Sequence, residues 1–287
     1  MAQSIKQLLN LARKKLADSP SARFDAEILM AYVLESKRSF LYANPEQELP
    51  DNRSEAFKKL IRQRAAGQPI AYLVESSEFW SLTLKVNPAV LIPRQDTERL
   101  VEAALSRIPV NSDWRIADLG TGCGAIALAI ASERQKCEVH ATDNSSAAIE
   151  VASENANRLN LNHVRFHCGS WAEPLKGKFH LIVSNPPYID GDDPHLGRGD
   201  LRFEPRDALT PGADGLSAIR TISQPARLML VEGGWLMFEH GWDQGPATRK
   251  VMQEAGFIKT ETLQDLQGHD RVTIGKNFLC SGQGARR

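Results

Sequence analysis

Two stretches of the chain hold residue types that could do chemistry. The first is RIADLGTGCGAIALAIA, in which an apolar run leads into Gly120, Thr121, Gly122, Cys123 and Gly124 before a helical pattern begins near Ala125. Glycines allow a sharp turn and a close backbone approach to a ligand, and the helix that follows turns its free N–H groups and positive end toward the same crevice. The next apolar run ends in ATDN, so Asp143 stands about twenty residues on, where a carboxylate accepts both hydroxyls of a ribose. Loop and acid together indicate an adenosine-containing cofactor. The same residues also fit the dinucleotide pattern G-x-G-x-x-A with Ala125 last, so at this motif NAD and S-adenosylmethionine both stay open.

The second stretch is FHLIVSNPPYI, an apolar strand pattern running into Asn185, Pro186, Pro187 and Tyr188. Adjacent prolines fix two φ angles and push their predecessors out of helical space, giving a rigid extended loop at the strand's carboxyl end. A planar NH₂ on a carbonyl or ring is a poor nucleophile because its lone pair is delocalised, and no side-chain base removes its proton beforehand. Activation has to come from geometry. If the Asn185 side-chain oxygen and the Pro186 carbonyl accept the two N–H bonds, they turn the nitrogen toward an electrophilic methyl and favour the positive charge that grows there. Tyr188 offers a flat surface to the planar amide. Hydride transfer needs an acid or base beside a nicotinamide, which neither motif supplies, so the pair of motifs selects S-adenosylmethionine, leaving S-adenosylhomocysteine as product. Amino-methylating DNA and RNA enzymes share the tetrapeptide, and a noncatalytic module that keeps the fold is the third reading.

The elements that must position these residues follow from periodicity. Arg115 to Leu119, Cys137 to Thr142, Val164 to His167, Phe179 to Ser184 and Gly234 to Glu239 read as strands with amphipathic helices between most of them, a doubly wound α/β pattern with a mostly parallel sheet. In that class the first and fourth strands lie side by side where the strand order reverses, so the glycine loop and Asn185 should meet. Up to Tyr72 the pattern is helical. One stripe is Ile5, Leu8, Leu9, Ala12 and Leu16 behind a Ser4/Gln7 capping box; a second is Phe24, Ile28, Leu29, Tyr32 and Val33; a third is Phe57, Leu60, Ile61 and Ala65, ending at Gly67. The stretch EFWSLTLKVNPAVLIPR alternates and is broken by Asn87-Pro88, which suits a short hairpin. The expected boundaries are a helical domain at 1–74, a hairpin linker at 75–92 and the α/β domain at 93–287.

Bulk properties narrow the function. Lys plus Arg equal Asp plus Glu at 35 each, so no global basic field favours nonspecific nucleic-acid binding, and no stable nucleic-acid partner is expected. Cys123, Cys137, Cys168 and Cys280 form no CxxC pair and no zinc spacing, which points to reduced thiols and no metal. No secretion signal and no bilayer-spanning run is present, so a cytoplasmic protein without membrane association is expected, with a monomer as the default.

Beyond the two motifs, PIAYL, EFW, LIPRQDTE, DLGTGCGAIALA, VSNPPYI, DPHL, RFEPRDAL and FEHGWDQG make nearly the whole chain resemble the bacterial peptide chain release factor glutamine methyltransferases. The resemblance implies a Rossmann-like class I methyltransferase domain with a seven-stranded sheet. It further implies methyl transfer to the glutamine amide of the Gly-Gly-Gln motif in class I release factors, modulating translation termination. Gly120 to Gly124, Asp143 and Trp171 would then surround the cofactor, Asn185 would face both cofactor and substrate, and Pro186, Pro187 and Tyr188 would hold the glutamine. The helical domain would help grip the release factor. Three positions depart from the family pattern: Cys123 stands for a threonine, Gln95 for a proline, and Ser170 for an acidic residue that would give a charge-assisted bond to adenine. Without the resemblance Trp171 could equally fill core. Glu239 and His240 stay unassigned, Arg94, Asp96 and Glu98 either line the pocket or cap a helix, and Arg13 to Lys15 read as a solvated helix face.

Overall fold

The computed structural model describes residues 3–211 and 214–278; Cys280 and the SGQGARR tail lie outside the described residues. The chain folds as two units, Met1–Ser76 with Arg198–Phe203, and Ser77–Gly197 with Glu204–Arg287. The return of six residues near position 200 to the first unit is a long-range event that no local pattern announces.

In the first unit, a two-residue strand β1 (Gln3–Ser4) pairs with β2 (Glu48–Leu49) around helices α1 (Ile5–Lys15), α2 (Ala22–Val33), α3 (Arg38–Ala43), α4 (Asp51–Ala65) and α5 (Ile70–Leu73). The capping box forms as expected: Gln7 N donates to Ser4 Oγ at 3.3 Å and Ser4 N donates to Gln7 Oε1 at 3.0 Å. Gly67, at φ +95°, takes the left-handed turn after α4. The expected stripe of α2 needs correction. Phe24 and Tyr32 are about half exposed, and the buried face carries Ala26, Leu29 and Met30 together with Asp25 and Glu27. Two ion-pair sets explain the shift. Glu27 accepts from Arg23, Arg38 and Tyr42 at 2.8, 2.6 and 2.6 Å, and Asp25 accepts from Arg64 at 2.7 Å, so acids sit inside because cations follow them in. The same Arg64 reaches Asp200, and Arg202 donates to the Ala66 carbonyl, which ties down the returning segment.

The second unit opens with the hairpin β3 (Ser76–Phe79) and β4 (Leu82–Lys85). Its reversal is at Trp80 and Ser81, both left-handed (φ +51° and +59°) as a two-residue type I′ turn requires, and Asn87-Pro88 follows the second strand. Then come α6 (Glu98–Leu105), β5 (Arg115–Leu119), α7 (Ala125–Glu133), β6 (Glu138–Asp143), α8 (Ser146–Arg158), β7 (Arg165–Cys168) and β8 (Phe179–Ser184). The chain closes with α9 (Arg206–Leu209), α10 (Ser217–Met229), β9 (Leu230–Glu239), α11 (Gly245–Glu254), β10 (Phe257–Gln264) and β11 (Asp270–Asn277).

Seven strands form one sheet in the order β10-β11-β9-β8-β5-β6-β7, parallel except for β11, which runs antiparallel between β10 and β9. β9 begins four residues before the expected start, and β10 and β11 escape the periodicity reading because the edge strand β10 alternates weakly and carries Lys259, Thr260, Glu261 and Thr262 in sequence. The central strands carry continuous apolar runs, since both faces are covered: Ile116, Ala117 and Leu119 of β5 and Leu181, Ile182 and Val183 of β8 are all buried. The order reverses between β5 and β8, which pair with Leu119 opposite Ser184. The residues following both strands, Gly120 and Asn185, therefore leave the sheet side by side.

Candidate active site

Where those two strands end, a pocket is lined by Gly120, Gly122, Asp143, Asn144, Ser145, Ser170, Trp171, Asn185 and Pro187, and closed by Ala89 to Leu91 and by Pro205, Asp207 and Ala208. On the glycine side, Gly120, Gly122 and Gly124 all have positive φ, +76°, +57° and +89°, which is the conformation that lets the loop turn into α7. A Cβ on Gly120 would stand 3.2 Å from Trp171 Cζ3, whereas one on Gly122 would meet nothing within 4 Å. Trp171 itself has φ +42°, an uncommon conformation for a large side chain, and packs one side on the core while facing the pocket with the other.

The Asp143 carboxylate is oriented by its own backbone surroundings. Gly122 N donates to Oδ2 at 2.9 Å and Ser145 N to Oδ1 at 3.0 Å. A carboxylate has about four acceptor directions, so each oxygen keeps one for a hydroxyl of a ribose. Two carboxylate acceptors at Asp143, an open backbone at Gly122 and an aromatic face at Trp171 are together what an adenosine would meet, and the residues present fit that group.

Beneath the loop, Asp118 is fully buried on β5 and accepts from Thr121 Oγ1 at 2.7 Å and from Ala127 N at 3.2 Å, pinning the loop to α7; its Oδ1 has no partner among the described residues. Burial pushes its carboxyl up to about 7, against those two bonds. Thr121 and Cys123 are buried and, like Gly124, do not line the pocket. The Cys123 carbonyl accepts from Asn155 Nδ2 at 2.9 Å, and burial pushes its thiol up to about 12, so it is an inert packing group.

On the other side, Ser184 Oγ donates to the Leu119 carbonyl at 2.6 Å and locks the two strand ends together. Asn185 Nδ2 donates to Thr97 Oγ1 at 3.2 Å, while among the described residues no donor engages its Oδ1. Pro186 is buried, Pro187 lines the pocket, and the half-buried Tyr188 donates its hydroxyl to Glu239 Oε1 at 3.3 Å. Glu239 closes β9 in full burial. Desolvation pushes it up to about 7, with the Thr97 hydroxyl and the Arg271 guanidinium pulling the other way. Burial, seconded by this carboxyl, raises the Tyr188 phenol too, so it stays protonated and a donor.

The remaining candidates find structural partners. His240 bonds Thr273 Oγ1 at 2.7 Å and the Gly241 carbonyl at 2.8 Å, and burial lowers its pKa, which makes it a neutral strap between strands. Arg94 pairs with the buried Glu204, Asp96 pairs with Arg271, and Glu98 accepts from Trp80 N. Gln95 is exposed and Ser170 lines the pocket. Sequence reasoning missed Thr97 and Glu204. Glu204 also accepts from Ile92 N and so fastens the stretch that leads into Pro205 against the one that follows Val90. Both residues lie inside stretches already singled out, LIPRQDTE and RFEPRDAL, and the signal was a polar residue at a position the fold buries.

The sheet order and this pocket define a methyltransferase of the S-adenosylmethionine-dependent, Rossmann-like class. A methyltransferase from Pyrococcus furiosus shares the fold at a TM-score of 0.53 with 18% identity, over 77% of this chain and 98% of that one. The Thermus thermophilus 16S rRNA N2 G1207 methyltransferase, solved with AdoMet and guanosine, shares it at 0.53 with 19% identity, over 70% and 49%. Residues 7–74 match the PrmC N-terminal domain and residues 97–199 the methyltransferase small domain. The release factor glutamine methyltransferases of Xylella fastidiosa (strain Temecula1), Aliivibrio fischeri and Escherichia coli K12 are 51%, 49% and 46% identical to it, over 91%, 96% and 94% of this chain and 94%, 98% and 98% of theirs. The chain belongs to the release factor glutamine methyltransferase family.

Proposed function

We propose that the protein transfers a methyl group from S-adenosylmethionine to the side-chain amide nitrogen of the glutamine in the Gly-Gly-Gln motif of class I peptide chain release factors. The observation that supports this reading most is the placement of Asn185, beside Gly120 at the strand-order reversal, with its Oδ1 free of donors among the described residues. When bound, the cofactor supplies an electrophilic methyl on a sulfonium centre. Gly120, Gly122, Asp143 and Trp171 hold its adenosine part, with Thr121, Cys123 and Gly124 shaping the loop beneath. Asn185 Oδ1 and the Pro186 carbonyl accept the two N–H bonds of the glutamine amide, orient its nitrogen and stabilise the charge that develops on it. Pro187 and Tyr188 keep that loop rigid, and the ring of Tyr188 offers the amide a flat wall.

In this reading residues 1–74 help grip the release factor, 75–92 link, and 93–287 catalyse, in a cytoplasmic monomer. Incubation with labelled cofactor and an unmethylated release factor should label the factor, and replacing the motif glutamine of that factor by alanine should abolish the label. Undiminished labelling of the glutamine-free factor would refute the proposed acceptor.

A further inference from the structure

Glu239 has no task in the clamp just described, yet a fully buried carboxyl at the end of a central strand is costly to keep. Its surroundings point to one. The Tyr188 hydroxyl donates to Oε1, the Thr97 hydroxyl rests against the same carboxyl, and among the described residues Oε2 closes no hydrogen bond of ordinary geometry. Thr97, itself buried, is in turn the group that receives Asn185 Nδ2. Three elements far apart in sequence thus converge on one line from Glu239 through Thr97 to Asn185: the turn before α6, the loop after β8 and the end of β9.

A threonine hydroxyl has one proton. When Thr97 gives it to the carboxylate, only a lone pair is left for Asn185, so the asparagine must present its NH₂ to Thr97 and its Oδ1 to the pocket. We propose that Glu239 is a positioning residue which, through Thr97, sets the polarity of the Asn185 amide so that an acceptor rather than a donor meets the substrate nitrogen. This rests on the amide clamp proposed above. A protonated Glu239 can itself donate to Thr97, which frees the threonine proton for Asn185 and lets the asparagine turn over. The charged groups around Glu239 are Asp96 from the turn before α6 and Arg271 from β11, with Arg94 near Tyr188. Arg271 favours the ionised form and Asp96 opposes it. Burial is the largest influence and places the midpoint near 7, so turnover should fall as pH drops through that value.

The test compares Glu239→Gln, Thr97→Val, Thr97→Ser and Asn185→Ala in methyl transfer to an unmethylated release factor, with cofactor affinity measured by calorimetry. Glu239→Gln keeps the shape but turns one acceptor into a donor. It and Thr97→Val should each lower kcat about 10- to 100-fold, the cost of a misaligned catalytic group. Cofactor Kd should be unchanged, and the acid limb of the pH profile should vanish in Glu239→Gln. Thr97→Ser should stay near the parent, and Glu239→Gln should add nothing to Asn185→Ala. Glu239→Gln and Thr97→Val both within about twofold of the parent, with Asn185→Ala inactive, overturns the inference and leaves the clamp. A Thr97→Val variant that loses cofactor affinity in step with kcat, or a Thr97→Ser variant as impaired as it, overturns the inference as well. Full activity in Asn185→Ala removes the clamp itself and this inference with it. If Glu239→Gln does not fold, the Thr97 pair decides.

Discussion

The two halves of the pocket are each braced by a buried carboxyl, and the two are wired differently. Asp118 holds groups three and nine residues further along the chain, Thr121 and Ala127, so the glycine loop of the cofactor half is braced within a single strand, loop and helix. Glu239, from the end of β9, bears on Thr97 and Tyr188, which come from two separate stretches far earlier in the chain. Both acids are pushed up to about 7 by burial. A local brace can be formed as soon as its segment folds, while the acceptor half requires the whole sheet to be in place. On the proposed reading the first half binds the cofactor, and the second half orients the acceptor.

That division predicts separable defects. The largest effect belongs to Asn185→Ala, which should reduce turnover on the order of 10²- to 10³-fold, comparable to losing an oxyanion-hole group, while leaving cofactor affinity nearly intact. Steady-state kinetics beside calorimetry would expose the failure, since a parallel loss of both would erase the distinction between the halves. Asp143→Ala should do the reverse. It removes charge-assisted bonds worth about 1.5 to 3 kcal/mol and weakens cofactor binding roughly ten- to hundredfold.

Asp118→Asn sharpens the comparison through pH. A folded-state pKa near 7, above the unfolded carboxylate value, gives stability that is fully present at low pH and lost as pH rises toward 7. The variant escapes that loss, so its unfolding free energy relative to the parent should improve by on the order of 2 kcal/mol between pH 5 and 8. Chemical denaturation at the two pH values measures this, and a difference that does not change with pH would mean the acid is ionised throughout. The smallest effect is expected for Gly122→Ala. Nothing lies within 4 Å of the added methyl, so only the left-handed φ penalises it, by about 1 to 2 kcal/mol of stability. Gly120→Ala, with Trp171 in the way, should impair cofactor binding more than Gly122→Ala does.

The same contrast explains what could be read in the sequence. The glycine loop, Asp143 and the β5 and β8 strands are encoded within short windows, and the adjacency of β5 and β8 follows from the handedness and order rules of wound sheets. Asn185 was found because prolines mark its loop. Thr97 and Glu239 were not assigned, because their meaning lies in a meeting of residues 97, 188 and 239 that periodicity does not encode. In the helical unit the misread face of α2 has the same origin: Asp25 and Glu27 look like solvent positions until Arg64 and Arg38 are brought to them by other helices, with Arg23 joining Glu27 from one turn earlier on α2. The turn at Trp80 and Ser81 carries neither glycine nor asparagine, so its left-handed backbone left no mark in the residue types.

The decisive measurement is product analysis after transfer from labelled S-adenosylmethionine, with an unmethylated class I release factor, duplex DNA and bulk RNA offered in parallel. One added methyl on the glutamine of the Gly-Gly-Gln peptide, absent with Asn185→Ala and with no label in either nucleic acid, is the expected result. Label in DNA or RNA with an unmodified release factor peptide would contradict the reading of the pocket as a glutamine amide clamp.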